Sequence, residues 1–180
     1  MESKDYLKLW GFQHKDYELN YGELKLSDAI IKHLEQYIKD FPVSAGIVFQ
    51  GNPKLAAKTM AYTIKRIYDS GSFKNRVSIV DVPTYFTKVN TLQYEERSSV
   101  EARMAENVVN SDIVVFQEIG LTQWTPIQQT KLYTLLYERY SKDLPVFCTV
   151  SCSPDELEDF IGKSNFFRLA DACTFLELNG

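Results

Sequence analysis

Five short apolar runs, at residues 45–50, 76–82, 112–117, 145–150 and 173–178, alternate with longer segments of helical period. No other feature of the chain constrains its fold as much. The runs show little apolar–polar alternation, which fits strands buried on both faces. Such strands need cover on each side, and the intervening segments supply it. Residues 27–41 carry Ile30, Ile31, Leu34, Tyr37 and Ile38 at helical spacing, behind a Ser27 or Asp28 cap. Residues 55–70 place Ala56, Ala57, Met60, Ile64 and Ile67 on one broad face. Residues 84–109 are polar and helical, in one or two pieces. Thr125 and Pro126 open a helix reaching about Ser141. Ser153 and Pro154 open a short one, with Asp155 and Glu156 in its first turn, where the helix dipole favours them. The alternation predicts an α/β domain of three layers around a central, mostly parallel five-stranded sheet.

A chain of 180 residues holds one such domain, and the boundaries predicted are an extension over 1–26 and the domain over 27–180. The extension has apolar weight in Tyr6, Leu7, Trp10 and Phe12 beside Lys4 and Lys8, suited equally to docking on a partner and to packing on its own core. The 44% hydrophobic content excludes a disordered chain. Three cysteines at irregular spacing exclude a disulfide scaffold, and Cys148 and Cys152 are expected as buried free thiols. His14 and His33 lie far from them, so no zinc spacing is present. No apolar stretch has the length of a leader or a membrane span, and the expectation is a cytoplasmic protein with no membrane contact. A net charge of −4 argues against a general nucleic-acid coat, though not against a local basic patch.

In a parallel sheet of this kind ligands bind at the carboxyl ends of the strands. The first run leads into Gly51-Asn52-Pro53-Lys54-Leu55-Ala56-Ala57-Lys58-Thr59 and then a helix. Strand, loop, Lys-Thr and helix is the layout of a phosphate-binding loop, in which Lys58 would reach a phosphate and Thr59 would hold Mg²⁺. The glycine pattern fails, however. Read back from Lys58-Thr59, Asn52 and Ala57 stand where glycines belong, and Gly51 comes one position early. Only 8 glycines occur in the chain, and the shortage falls where a phosphate cradle most needs them. A surface Lys-Thr near a helix start explains the same residues equally well. The third run ends in Gln117-Glu118, where a nucleotide-hydrolysing enzyme carries two acids. Glu118 remains, but the amide of Gln117 is a poor Mg²⁺ ligand.

The stretch from Asp112 to Leu157 resembles the bacterial replicative-helicase loaders of the DnaC/DnaI kind and their phage relatives, which are AAA+ ATPases. The residues that carry the resemblance are Ile119-Gly120, Leu132-Tyr133, Glu138-Arg139-Tyr140, Pro145, Thr149 and Ser153-Pro154-Asp155-Glu156-Leu157. Ile161-Gly162 and Arg168-Leu169 fit the family's end region, and the resemblance extends over roughly residues 25–180. It implies an AAA+, P-loop NTPase-like domain with ATP and Mg²⁺ as cofactors. It also implies site residues. The loop glycines fall on Asn52, Leu55 and Ala57, the phosphate and metal contacts on Lys58 and Thr59, and the magnesium aspartate on Gln117. The retained acid is Glu118, and a first sensor falls on Ser151. An arginine that reaches a neighbouring subunit falls near Ser164, with Arg168 as the later arginine. A second sensor would lie at or beyond Gly180. These departures touch coupled parts of one mechanism, so the resemblance implies hydrolysis that is very slow or absent.

In the same family the region between the second and third strands faces single-stranded DNA. Here it offers Lys88, Arg97 and Arg103 for phosphate, and Tyr85, Phe86 and Tyr94 for stacking. It also carries Glu95, Glu96, Glu101 and Glu106, so a solvated helix with buried aromatics is the competing account. The function implied is a helicase-loader-like replication protein with a degenerate ATP site, whose partner is a replicative helicase or a helicase loader. The alternatives are an active ATPase loader that binds single-stranded DNA, and a non-catalytic structural subunit of a clamp-loader-like assembly.

Overall fold

The computed structural model describes residues 20–71 and 76–178. The apolar tail residues and the second-sensor position lie outside them. Five strands form one sheet: β1 (Gly46–Gly51), β2 (Val77–Asp81), β3 (Ile113–Ile119), β4 (Val146–Val150) and β5 (Cys173–Leu178). Their spatial order is β2-β3-β4-β1-β5, and every pairing is parallel. Among the described residues, seven helices pack on the sheet: α1 (Asp28–Asp40), α2 (Pro53–Asp69), α3 (Val82–Thr91), α4 (Tyr94–Asn110), α5 (Pro126–Ser141), α6 (Pro154–Ile161) and α7 (Lys163–Ala172). The expected α/β architecture with a central five-stranded sheet is thus observed.

Because side chains alternate across a strand, the buried strands feed two separate cores. Ile47, Phe49, Ile113, Val115 and Phe147 meet Leu34, Tyr37 and Ile38 of α1 and Met60, Ile64 and Ile67 of α2. Val48, Val114, Phe116, Cys148 and Val150 meet Val82, Val108, Leu132, Leu135, Leu136, Leu157 and Leu169 on the other face. Tyr21 and Leu24, from the stretch read as an extension, already belong to the first core, and the Tyr21 hydroxyl lies 2.7 Å from Thr63 Oγ1. Cys148 is fully buried, which pushes its thiol well up, and Cys152 is half-buried.

The helix starts follow local chemistry. Ser27 caps α1, while Thr125 and Ser153 each close a capping box with Gln128 and Glu156 and are followed by proline. The segment read as helical over 84–109 is two helices, with Asp81 capping the first through Thr84 N at 2.9 Å. Among the described helices, α7 is the one the periodicity does not predict. Its N-cap is Gly162, at φ +85°, with no side-chain cap, and only Asn165 and Leu169 on it are buried.

One buried charge organises the second layer. Arg139 of α5 is fully buried and donates to the carbonyls of Val108, Ser111, Asp112 and Pro145. It thereby joins the end of α4, the entry to β3 and the entry to β4. Burial lowers its pKa to about 10, so it still carries its charge at neutral pH.

Candidate functional site: the carboxyl edge of the sheet and the outer face of α5 and α7

The carboxyl ends of β3, β4 and β1 are adjacent in the sheet and bring together most of the residues read as a nucleotide site. They are tied to one another. Gln50 of β1 donates to Cys152 O at 2.7 Å, beyond the end of β4, and Glu118 N of β3 donates to Thr149 Oγ1 of β4 at 2.9 Å. Glu118 sits at a bulge in the β3–β4 pairing with φ +58°, a left-handed conformation that is costly for a residue with a side chain. Its carboxyl is held above the ordinary range, first by partial burial and then by the neighbouring Asp81 charge. Gln117 pairs in register with Asp81, and Ser151 is exposed just past β4.

The β1–α2 junction differs from a phosphate cradle. β1 ends at Gly51 and α2 begins at Pro53, so a single residue joins them. The residues that would curl around phosphate are the first turn of a helix. Asn52 caps that helix: its Oδ1 accepts from Lys54 N and Leu55 N, each at 3.1 Å, and its carbonyl accepts from Ala56 N at 2.9 Å. Pro53 has no N–H to offer. Every backbone donor of the first turn is thus engaged or absent. Gly51 serves the sheet instead. At φ +124° its position would drive a Cβ to 2.4 Å from Leu178 O of β5.

The remaining residues of the motif follow from this early helix start. Ala57 and Lys58 lie half-buried in its second turn. Lys58 makes no ion pair to a described residue. Thr59 is fully buried, and its hydroxyl has no hydrogen-bond partner among the described residues. The donor set does not fit a nucleotide phosphate, and a buried hydroxyl does not fit Mg²⁺.

Arg168 lies elsewhere. Its guanidinium stacks over Tyr133, Tyr137 and Tyr140 of α5, at 4.8, 5.3 and 5.5 Å from the ring centroids, and donates to the Tyr133 hydroxyl at 3.1 Å. It lines a cavity of about 340 Å³ with Ala45, Val146 and Cys173, at the amino ends of β1, β4 and β5. It therefore stands at the opposite end of the sheet from Lys58 and Glu118, and does not act on a ligand held there by the same chain.

The residues read as a DNA surface occupy the α3–α4 hairpin. Lys88 and Arg103 are exposed. Arg97 is half-buried and donates to Val89 O at 3.0 Å and Leu92 O at 3.4 Å, closing the end of α3. Phe86 packs edge-on against Trp124 at 5.0 Å, with Tyr85 beside it, which leaves Tyr94, 82% exposed, as the ring open to solvent.

A further group was not recognised in the sequence. Tyr133, Tyr137 and Tyr140, with Phe167 of α7, form an exposed aromatic face; Tyr137 and Phe167 are 50% and 55% exposed. Tyr133 and Tyr137 stack at 6.4 Å, and Lys163 lies 5.5 Å from the Phe167 ring. An open groove runs between the two helices, lined by Tyr133, Tyr140, Ser164, Phe167 and Arg168. The signal was present, since tyrosines at i, i+4 and i+7 share one helix face. Leu132, Leu135, Leu136 and Arg139 take the buried side of α5.

No family model matches the sequence, and neither does any curated protein. Solved structures do match. The DnaC helicase loader superposes with a TM-score of 0.71 at 15% identity, over 96% of this chain and 99% of that one. DnaI superposes with a TM-score of 0.65 at 13% identity, over 91% of this chain and 96% of that one. The replication initiator DnaA, bound to AMPPCP and single-stranded DNA, superposes with a TM-score of 0.68 at 7% identity, over 94% of this chain and 50% of that one. The chain shares its fold with the DnaC helicase loader, with DnaI and with the replication initiator DnaA.

Proposed function

We propose that this chain is a helicase-loader-like DNA replication protein with a degenerate ATP site, acting by binding a protein partner, a replicative helicase or its loader. The observation that carries the reading is the exposed aromatic face of α5 and α7 on a loader fold. Tyrosine, phenylalanine and arginine are the residues that dominate protein interfaces, because they bury large area and lose little entropy. The row of Tyr133, Tyr137, Tyr140 and Phe167 around Arg168 is such a cluster. Acidic overall charge favours a protein over a bare nucleic-acid strand as the main contact.

The active-ATPase alternative finds no comparable support. Its lysine and threonine sit inside a helix, and Glu118 faces Asp81 without a described cation. Single-stranded DNA remains a secondary ligand of this reading, through Lys88 and Arg103 around the exposed Tyr94. Cytoplasmic placement belongs to the same proposal; among the described residues no helix is long and apolar enough to cross a membrane.

The test is co-purification of the full chain with the replicative helicase and with the resident loader of its host. Stable association with either is expected, and Tyr137→Ala combined with Phe167→Ala should weaken it at least about 30-fold, the loss of a hot spot. Absence of association with both partners would refute the reading.

A further inference from the structure

The first turn of α2 is complete in a way that loss of glycines alone does not require. Glycine loss would leave a strained or open loop. Instead the chain has a helix that starts at Pro53, immediately after its cap. Asn52 Oδ1 takes two backbone N–H groups, and the Asn52 carbonyl takes a third. In a phosphate-binding loop such backbone groups are the ones that point at the anion.

We propose that the Asn52 carboxamide is a built-in occupant of the phosphate seat, and that it holds the chain in one state that does not respond to ATP or ADP. Packing reinforces the cap. Ala56 and Thr59 are fully buried, and Leu55 packs against the core formed with α1 and the sheet. To free the donors, residues 53–57 would have to unwind, break the three hydrogen bonds and pull Ala56 out of that core. A nucleotide phosphate offers no better acceptor geometry than the one already in place, and the Thr59 hydroxyl beneath is closed to a hydrated cation. The inference deepens the loader-like reading by assigning its regulation: partner binding without a nucleotide switch. It is tested on the free chain, so its failure is distinguishable from failure to bind a helicase or loader.

The experiment is thermal melting of the full chain with and without millimolar ATP or ADP and Mg²⁺. A ligand bound at a hundred times its Kd raises Tm by several degrees. The expected result is no shift, in the natural chain and in Lys58→Ala alike. A nucleotide-dependent rise in Tm that Lys58→Ala removes would overturn the proposal. The cap itself is tested by Asn52→Ala, which should lower Tm by about 2–4 °C, with Asn52→Asp retaining most of the stability because a carboxylate also accepts both N–H groups. Equal melting of Asn52→Ala and the natural chain would overturn the assignment of Asn52.

Discussion

Two regions of this molecule stand in opposite relation to solvent. At the β1–α2 junction every backbone donor of the first helical turn is engaged within the chain or absent, and the motif threonine is buried. On the outer face of α5 and α7, large aromatic rings that ordinarily seek burial are left exposed around a stacked arginine. The place where the sequence resemblance implies a nucleotide site is the more self-sufficient of the two. The place where the family pattern gives only a run of Leu-Tyr and Arg-Tyr residues is the more incomplete. Self-sufficient surfaces have little to gain from a ligand, whereas exposed apolar area gains about 25 cal/mol per Å² when a partner covers it.

The contrast is broken most severely at Arg139. It anchors the inner side of the helix whose outer side carries the tyrosines. Arg139→Met keeps the apolar stem and leaves four carbonyls without a donor. The expected cost is about 3 kcal/mol or more, a fall in Tm on the order of 10 °C, followed by circular dichroism. The Asn52→Ala increment measured in that background should be unchanged, because the two residues lie in different layers. Coupling between them would mean that the regions are not independent.

A smaller effect is expected at the aromatic face. The pair Tyr137→Ala and Phe167→Ala should weaken partner association while moving Tm by less than about 2 °C, since both rings are half-exposed. A large stability loss without a binding defect would make these rings a satellite core rather than an interface.

Glu118 gives the smallest effect, and one that depends on pH. Its carboxyl ionises less readily in the folded chain than in the unfolded one, because of burial and the Asp81 charge. A raised acid of this kind lowers stability as pH rises through the carboxylate range, and costs nothing below it. Glu118→Gln should therefore melt above the natural chain at pH 7, by about 1 °C once solvent screening of a half-buried group is allowed for. The difference should vanish below about pH 4. A stabilisation that persists at low pH would assign the effect to hydrogen bonds of the new amide and not to the carboxylate charge.

The fold was legible because its signals are local and chemical. Ser27, Thr125-Pro126 and Ser153-Pro154 each mark a helix start with a side-chain oxygen and, in two cases, a proline, and all three caps are found. Buried strands announce themselves as apolar runs. α7 was not legible, because Gly162 offers no capping oxygen and few of the helix's side chains reach the core. At the candidate site the signal was present but masked. Asn52-Pro53 is itself a helix-start signature, asparagine at the cap and proline at the first position. Matched against a glycine pattern, the same residues read only as losses. Arg139 was likewise visible as a pattern residue, but its four carbonyl partners come from three chain segments, and no sequence spacing brings those together. Exposure of Tyr137 and Phe167 depends on which side of α5 the leucines take and on the presence of α7, so it required the tertiary structure.

In the proposed function this fold works through a protein face and not through a nucleotide switch. The most direct measurement is the affinity of the full chain for the replicative helicase or loader, titrated in the absence and in the presence of ATP and Mg²⁺. One Kd is expected, unchanged by nucleotide and by Lys58→Ala, and sharply weakened by Tyr137→Ala with Phe167→Ala. An affinity that changes about tenfold with ATP, and loses that change in Lys58→Ala, would contradict it.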